Sequence, residues 1–162
     1  MYAPSDTLPD HSRIWIYQCS KELTGEEIQS IERSIVPFLE SWTAHNQSLR
    51  AGYEIRYNRF LVLVIDEKTA GASGCSIDKS VHFIQSMENE LNVSFFDRLN
   101  FAYKAGGKIS TASRAEFEKL FSTGVLNAES IVFNNLVQTK KELNSNWEIP
   151  FRESWHKNLI SA

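Results

Sequence analysis

Six consecutive apolar residues, Phe60-Leu-Val-Leu-Val-Ile65, stop abruptly at Asp66-Glu67. Alternation is absent, so both faces of this segment must be covered, which predicts a central strand of an α/β sheet. The run is far too short to span a bilayer. After the two carboxylates comes a small-residue loop, Lys68-Thr-Ala-Gly-Ala-Ser-Gly-Cys75, and then an amphipathic helix carrying Asp78 and His82. A strand end, a loop and a helix start in succession mark the usual place for chemistry in such a fold.

The segments around this strand set the expected topology. Arg13-Ile-Trp-Ile-Tyr-Gln18 is aromatic and β-branched, hence a strand. Thr24-Gly-Glu-Glu27 is a capping box with Leu23 and Ile28 at staple spacing, predicting a helix from Gly25, and Pro37 should kink or restart it. Tyr53, Ile55 and Tyr57 alternate with Glu54 and Arg56 as in a half-exposed strand, and Asn58-Arg59 should turn the chain into the central strand. In the following helix, which should begin near Ser76, Ile77, Val81, Ile84, Met87 and Leu91 share one face, while Asp78 and His82 lie on the polar side. Leu99-Asn-Phe-Ala-Tyr103 reads as a fourth strand closed by Gly106-Gly107. These elements predict an α/β (α+β) single domain over 1–162. Its core, 1–110, is a ferredoxin-like β-α-β-β-α-β unit. Residues 111–162 form an extension packing back on it, with capping boxes at Ser113-Arg-Ala-Glu116 and Thr139-Lys-Lys-Glu142 and a strand at Ile131-Val-Phe133.

Charge and cysteine content narrow the function. A net charge of -3 gives no drive toward phosphate backbones or anionic lipid. The first residues lack the basic and apolar regions of a signal peptide, and two cysteines make no disulfide framework. A cytoplasmic protein is expected, with no membrane association and no cofactor.

Four constellations could carry chemistry. The strand ending in Asp66-Glu67 has the form of a Walker B segment, in which the Asp holds Mg²⁺. The nearest phosphate-loop match, Ala102 to Ser110, lacks the first Gly, has Ile109 where Ser or Thr is required, and follows Asp66. Cys75 at a helix start would favour a thiolate, but His82 lies two turns on, about 10 Å along the axis. A base from elsewhere, His45 or His156, would be needed. Asp78 and His82 at i, i+4 would supply two metal ligands, with a third from Asp66, Cys75 or His156, yet no paired Cys or His-x-x-x-His strengthens a metal site and none is assigned. Arg50, Arg56 and Arg59 interleave with Tyr53, Tyr57 and Phe60 as in single-strand binders, but Glu54 interrupts the patch and an RNP1 pattern is absent, so nucleic acid is not the expected partner.

Several stretches together, Ser12-Arg-Ile-Trp-Ile-Tyr-Gln18, Trp42-Thr-Ala-His45, Glu54-Ile-Arg-Tyr-Asn-Arg-Phe60, Ser73-Gly-Cys-Ser-Ile-Asp78, Phe133-Asn-Asn-Leu-Val137 and Glu153-Ser-Trp-His156, give the chain a resemblance. Nearly end to end it resembles a family of small bacterial proteins, some of which carry the name "ABC transporter ATPase". That name implies nucleotide hydrolysis, which needs the phosphate loop this chain lacks, and Ser73-Gly-Cys-Ser76 only faintly echoes the transporter signature. The resemblance implies a family and no catalytic residue. The expected function is a binding module for a small molecule or a protein partner, its surface formed by Asp66, Glu67, Cys75, Asp78 and His82 with His156 from the returning tail. The alternative is a small cysteine- or metal-dependent enzyme using the Cys75, Asp78 and His82 region.

Overall fold

Strand β1 (Arg13–Gln18), helix α1 (Gly25–Ser41), a small hairpin of β2 (Thr43–Ala44) and β3 (Gln47–Ser48), strands β4 (Arg50–Arg56) and β5 (Phe60–Asp66), and helix α2 (Gly74–Leu91) follow one another in the computed structural model, which describes residues 1–160. The rest of the chain supplies β6 (Asn100–Ala105), β7 (Lys108–Ser113), α3 (Arg114–Ser122), β8 (Ile131–Phe133), α4 (Lys140–Ser145) and β9 (Glu148–Pro150). The fold is therefore mixed α and β, with three sheets among the described residues. Its contacts divide it into two compact units, Met1–Phe96 and Asp97–Ala162. None of the described helices is long and apolar enough to cross a membrane.

In the first unit β5 is the middle strand of the order β1-β5-β4, antiparallel to both neighbours. Leu61, Leu63 and Ile65 share a core with Ile31, Ile35 and Leu39 of α1 and Ile84 and Met87 of α2. On the opposite face Phe60, Val62 and Val64 are also fully buried, the two-sided burial expected of an unbroken apolar run. Helix α1 starts where its capping box dictates: Thr24 Oγ1 accepts from Glu27 N–H at 3.2 Å, and Glu27 Oε1 accepts from Thr24 N–H at 2.9 Å. It runs through Pro37 to Ser41 without restarting. The carbonyl that loses its intrahelical donor there belongs to Arg33, which is exposed like Pro37 itself, so water can satisfy it.

Two turns lie one residue from their expected places or add structure. Tyr57 and Asn58, rather than Asn58 and Arg59, occupy the left-handed region (φ 54° and 52°), and Arg59 N–H donates to Arg56 O at 3.0 Å. His45 and Asn46 (φ 50° and 62°) close the β2–β3 hairpin in a stretch that reads from the sequence as a polar loop.

The fourth strand of the ferredoxin-like unit does not join the first sheet. Beside β1 there is a single isolated bridge, Gln18↔Phe96, whereas β6 belongs to a second sheet of order β7-β6-β8-β9. The cause is local: Gly106 and Gly107 (φ 58° and 77°) make a two-residue hairpin turn, and β6 zips to β7 over the whole strand, Asn100↔Ser113 to Ala105↔Lys108. A tight turn fixes that register with little loop entropy to overcome. The stretch that most nearly matched a phosphate loop is this hairpin. Ala112, Phe117, Leu126, Val132 and Phe151 form a core of the second unit.

Residues 1–12, an irregular arm in sequence, lie along β4. Tyr2 bridges Ala51 in parallel, and Ala3 N–H donates to Ala51 O at 2.8 Å. The approach is close enough that a Cβ on Gly52 would sit 2.3 Å from the Ala3 carbonyl oxygen, a backbone atom that cannot swing aside. Gly52→Ala is accordingly expected to push the arm off β4 at a cost of about 1–3 kcal/mol. Hydrogen exchange at the Ala3 amide reads this directly: protection should be lost in the variant, and retained protection would contradict the packing.

Candidate functional site

The strand-end carboxylates are taken up by the chain itself. Asp66, 8% exposed, closes β5 opposite the first residue of β4, and Arg50 Nη1 donates to its Oδ2 at 3.1 Å. Lys68 N–H donates to Oδ1 at 3.1 Å, and His11 Nε2 lies 3.6 Å from the same oxygen. Burial by itself raises the Asp66 carboxyl, but the Lys68 amide, the Arg50 guanidinium and His11 outweigh it and hold the group below the usual carboxylate range. Glu67 Oε1 accepts from Ala72 N–H at 3.2 Å and lies 3.6 Å from Arg13. These two side chains fasten the arm, β4 and the 67–72 loop together, as structural ties do.

The next three candidates stand on α2. Ser73 caps it, so the helix begins at Gly74, slightly earlier than the sequence suggests, with Cys75 in its first turn. Cys75, Asp78 and His82 are all exposed, and no hydrogen bond or ion pair engages their side chains among the described residues. The helix is continuous, so Cys75 and His82 remain about 10 Å apart along its axis, too far for a nucleophile and its base. No group of three or more His, Cys, Asp or Glu side chains converges as a metal set among the described residues. Cys19, by contrast, is fully buried, and burial pushes its thiol pKa up. Under native conditions a thiol reagent should therefore modify Cys75 alone, with Cys19 reacting after denaturation. Two reactive thiols in the native protein would contradict this burial.

Each candidate base has its own surroundings within its unit. His45 sits exposed at the β2–β3 turn. His156 belongs to the second unit, where it is 1% exposed, with its Nδ1 2.6 Å from Ser154 Oγ and its ring stacked 4.1 Å from that of Trp155. Burial lowers its pKa to about 4, so it is a neutral core histidine and no part of an open surface. The arginine-rich hairpin is likewise internally bonded: Arg56 Nε pairs with Glu54 at 2.6 Å, Arg59 donates to the Cys19 and Ser20 carbonyls, and Phe60 is fully buried.

The second unit holds a concave surface. A cleft of about 450 Å³ opens between α3 and the β6–β7 hairpin. Tyr103, Thr111 and Ala112 line it from the strands, and the α3 side supplies Glu116, Lys119, Leu120 and Thr123. The last four recur at i, i+3, i+4 and i+7, so one face of a capped helix presents them together. Ser113 N–H donates to Glu116 Oε2 at 2.8 Å, and Thr123 Oγ1 donates to Lys119 O at 2.8 Å, which fixes both ends of that face. Below the cleft the Tyr103 ring packs 6.3 Å from Phe117, which is fully buried.

His11 and the cleft residues were not among the sequence candidates, and Arg50 was read only as part of the arginine and aromatic hairpin, not as the partner of Asp66. Counting outward from the observed β4–β5 turn pairs Arg50 with Asp66, whereas the turn expected at Asn58-Arg59 would have paired it with Glu67, so the one-residue shift hid the contact. His11 reaches Asp66 through an irregular arm that carries no periodic signal. Comparison with protein-family models, with curated proteins and with solved structures gives no match to this chain.

Proposed function

We propose that the protein is a small-ligand-binding protein and that the cleft between α3 and the β6–β7 hairpin is its site. What supports the reading is the coincidence of a concave surface with mixed chemistry: an aromatic ring and aliphatic side chains beside an ammonium, a carboxylate and hydroxyls. Ligand sites have this character and range over roughly 300–1,000 Å³. The strand-end surface has the weaker claim, because Asp66 and Glu67 are engaged in internal bonds. The enzymatic alternative would require a third group beside Cys75 or His82, and no observation favours it. On this reading the ATPase name borne by members of the resembling bacterial family does not describe this chain. A bacterial cytoplasmic setting is in keeping with that resemblance and with two unpaired cysteines.

The test fills the cleft. Leu120→Trp is expected to abolish the binding of fragments that wild-type protein retains in a ligand-observed NMR screen. Cys75→Ser and His82→Ala should leave their binding within about twofold, since surface changes away from a site are close to neutral. Circular dichroism establishes that the Leu120 variant is folded, and Lys119→Glu, at an exposed position, provides an independent perturbation of the same cleft. Fragments that bind Leu120→Trp as well as wild type would sink the proposal.

A further inference from the structure

We infer that the cleft takes a small monocarboxylate with a short apolar body, an inference that rests on the ligand-binding reading above. It follows from which polar groups in the cleft are already committed. Glu116 accepts the Ser113 amide, and the Thr123 hydroxyl donates to backbone carbonyls. The Lys119 ammonium and the Tyr103 hydroxyl make no hydrogen bond or ion pair among the described residues. An ammonium has donors and no acceptor, and a phenol donates readily to an anion. The two uncommitted groups therefore ask for an acceptor, and a carboxylate is the acceptor that turns both bonds into charge-assisted ones.

The remaining lining sets size and charge. Leu120 and Ala112 give the apolar wall on which a short hydrocarbon can be buried. Glu116 lies one helical turn from Lys119, so the two charges face the same space with no net excess of positive charge. A dianion such as a phosphate monoester would meet that carboxylate with only one cation to offset it, which selects a single negative charge. A ligand amine would meet Lys119 as a like charge and would have to share Glu116, whose Oε2 already accepts the Ser113 amide, while the two donors without partners went unused.

Hexanoate, hexanamide and hexylamine serve as probes, since they share an apolar chain and differ in the head group. Titration by ligand-observed NMR should give binding of hexanoate, with hexanamide and hexylamine weaker by about tenfold, the worth of one charge-assisted bond. Lys119→Met should bring hexanoate down to the level of hexanamide, and Tyr103→Phe should weaken it severalfold. Leu120→Trp should block it. Hexanamide or hexylamine binding as tightly as hexanoate, while still blocked by Leu120→Trp, overturns the carboxylate class and leaves the ligand-binding reading standing. Hexanoate that fails to bind also overturns the class, and binding indifferent to Leu120→Trp overturns both.

Discussion

Trp42→Ala is expected to destabilise the protein by about 3–5 kcal/mol, the range for deleting a fully buried large aromatic. Trp42 caps the C-terminus of α1 with its side chain pointing inward, and it is 2% exposed. Its indole N–H donates to the Ser76 carbonyl in the first turn of α2 at 2.8 Å. The ring lies 5.2 Å from Phe38, which stacks in turn on Phe83 of α2 at 4.5 Å and 7°. One side chain thus joins the end of one helix to the start of the other by both apolar contact and a hydrogen bond. Trp42→Phe keeps most of the apolar contact and loses the bond, so about 1–2 kcal/mol should go. Set against the roughly 5–15 kcal/mol that hold typical domains together, the alanine variant should shift a urea midpoint strongly. A loss below about 1 kcal/mol would mean the ring is not where the two helices place it.

The second large effect is acid sensitivity through His156. In the native protein burial depresses its pKa to about 4, whereas the unfolded chain has the ordinary value near 6.5. Between those values the unfolded state holds a proton that the native state refuses, so lowering the pH favours unfolding. The contribution is complete above about pH 6.5 and is lost as the pH falls to about 4, on the order of 3 kcal/mol in all. Asp66 acts with the usual carboxylate sign at lower pH. Its folded value is held down, so its contribution is present above its unfolded value near 3.9 and is lost as pH drops through the folded one. His156→Gln keeps a polar partner for Ser154 and does not titrate. Wild-type stability should fall from pH 6.5 to pH 4.5 while that of the variant stays nearly flat. Equal slopes in the two proteins would contradict a neutral, buried His156.

What was legible in the sequence was local. The β5 run announced two-sided burial because no alternation interrupts it, and the Thr24 and Ser113 capping boxes placed two helix starts to the residue. The tail, rich in tryptophan, does pack inward: Trp147 and His156 are each 1% exposed. Pairing between distant segments was not legible. Residues 99–103 have strand character that suits either sheet, and the choice of β7 as partner follows from the Gly106-Gly107 turn and a strand, 108–113, whose Ser and Thr give a weak apolar signal. The site followed the same division. Asp66 and Glu67 looked reactive because sequence shows two carboxylates at a strand end and hides the Arg50 and backbone donors that absorb them. The cleft was hidden for the converse reason, since Tyr103 and Lys119 come from elements that sequence reasoning assigned to different parts of the fold.

The most direct test of the central claim is amide chemical-shift mapping on isotope-labelled full-length protein during titration with hexanoate. The perturbed amides are expected to cluster at Tyr103, Thr111, Ala112, Lys119 and Leu120, with the α2 residues Cys75, Asp78 and His82 unmoved. Perturbations centred on α2 and the end of β5, with the α3 cleft silent, would contradict it.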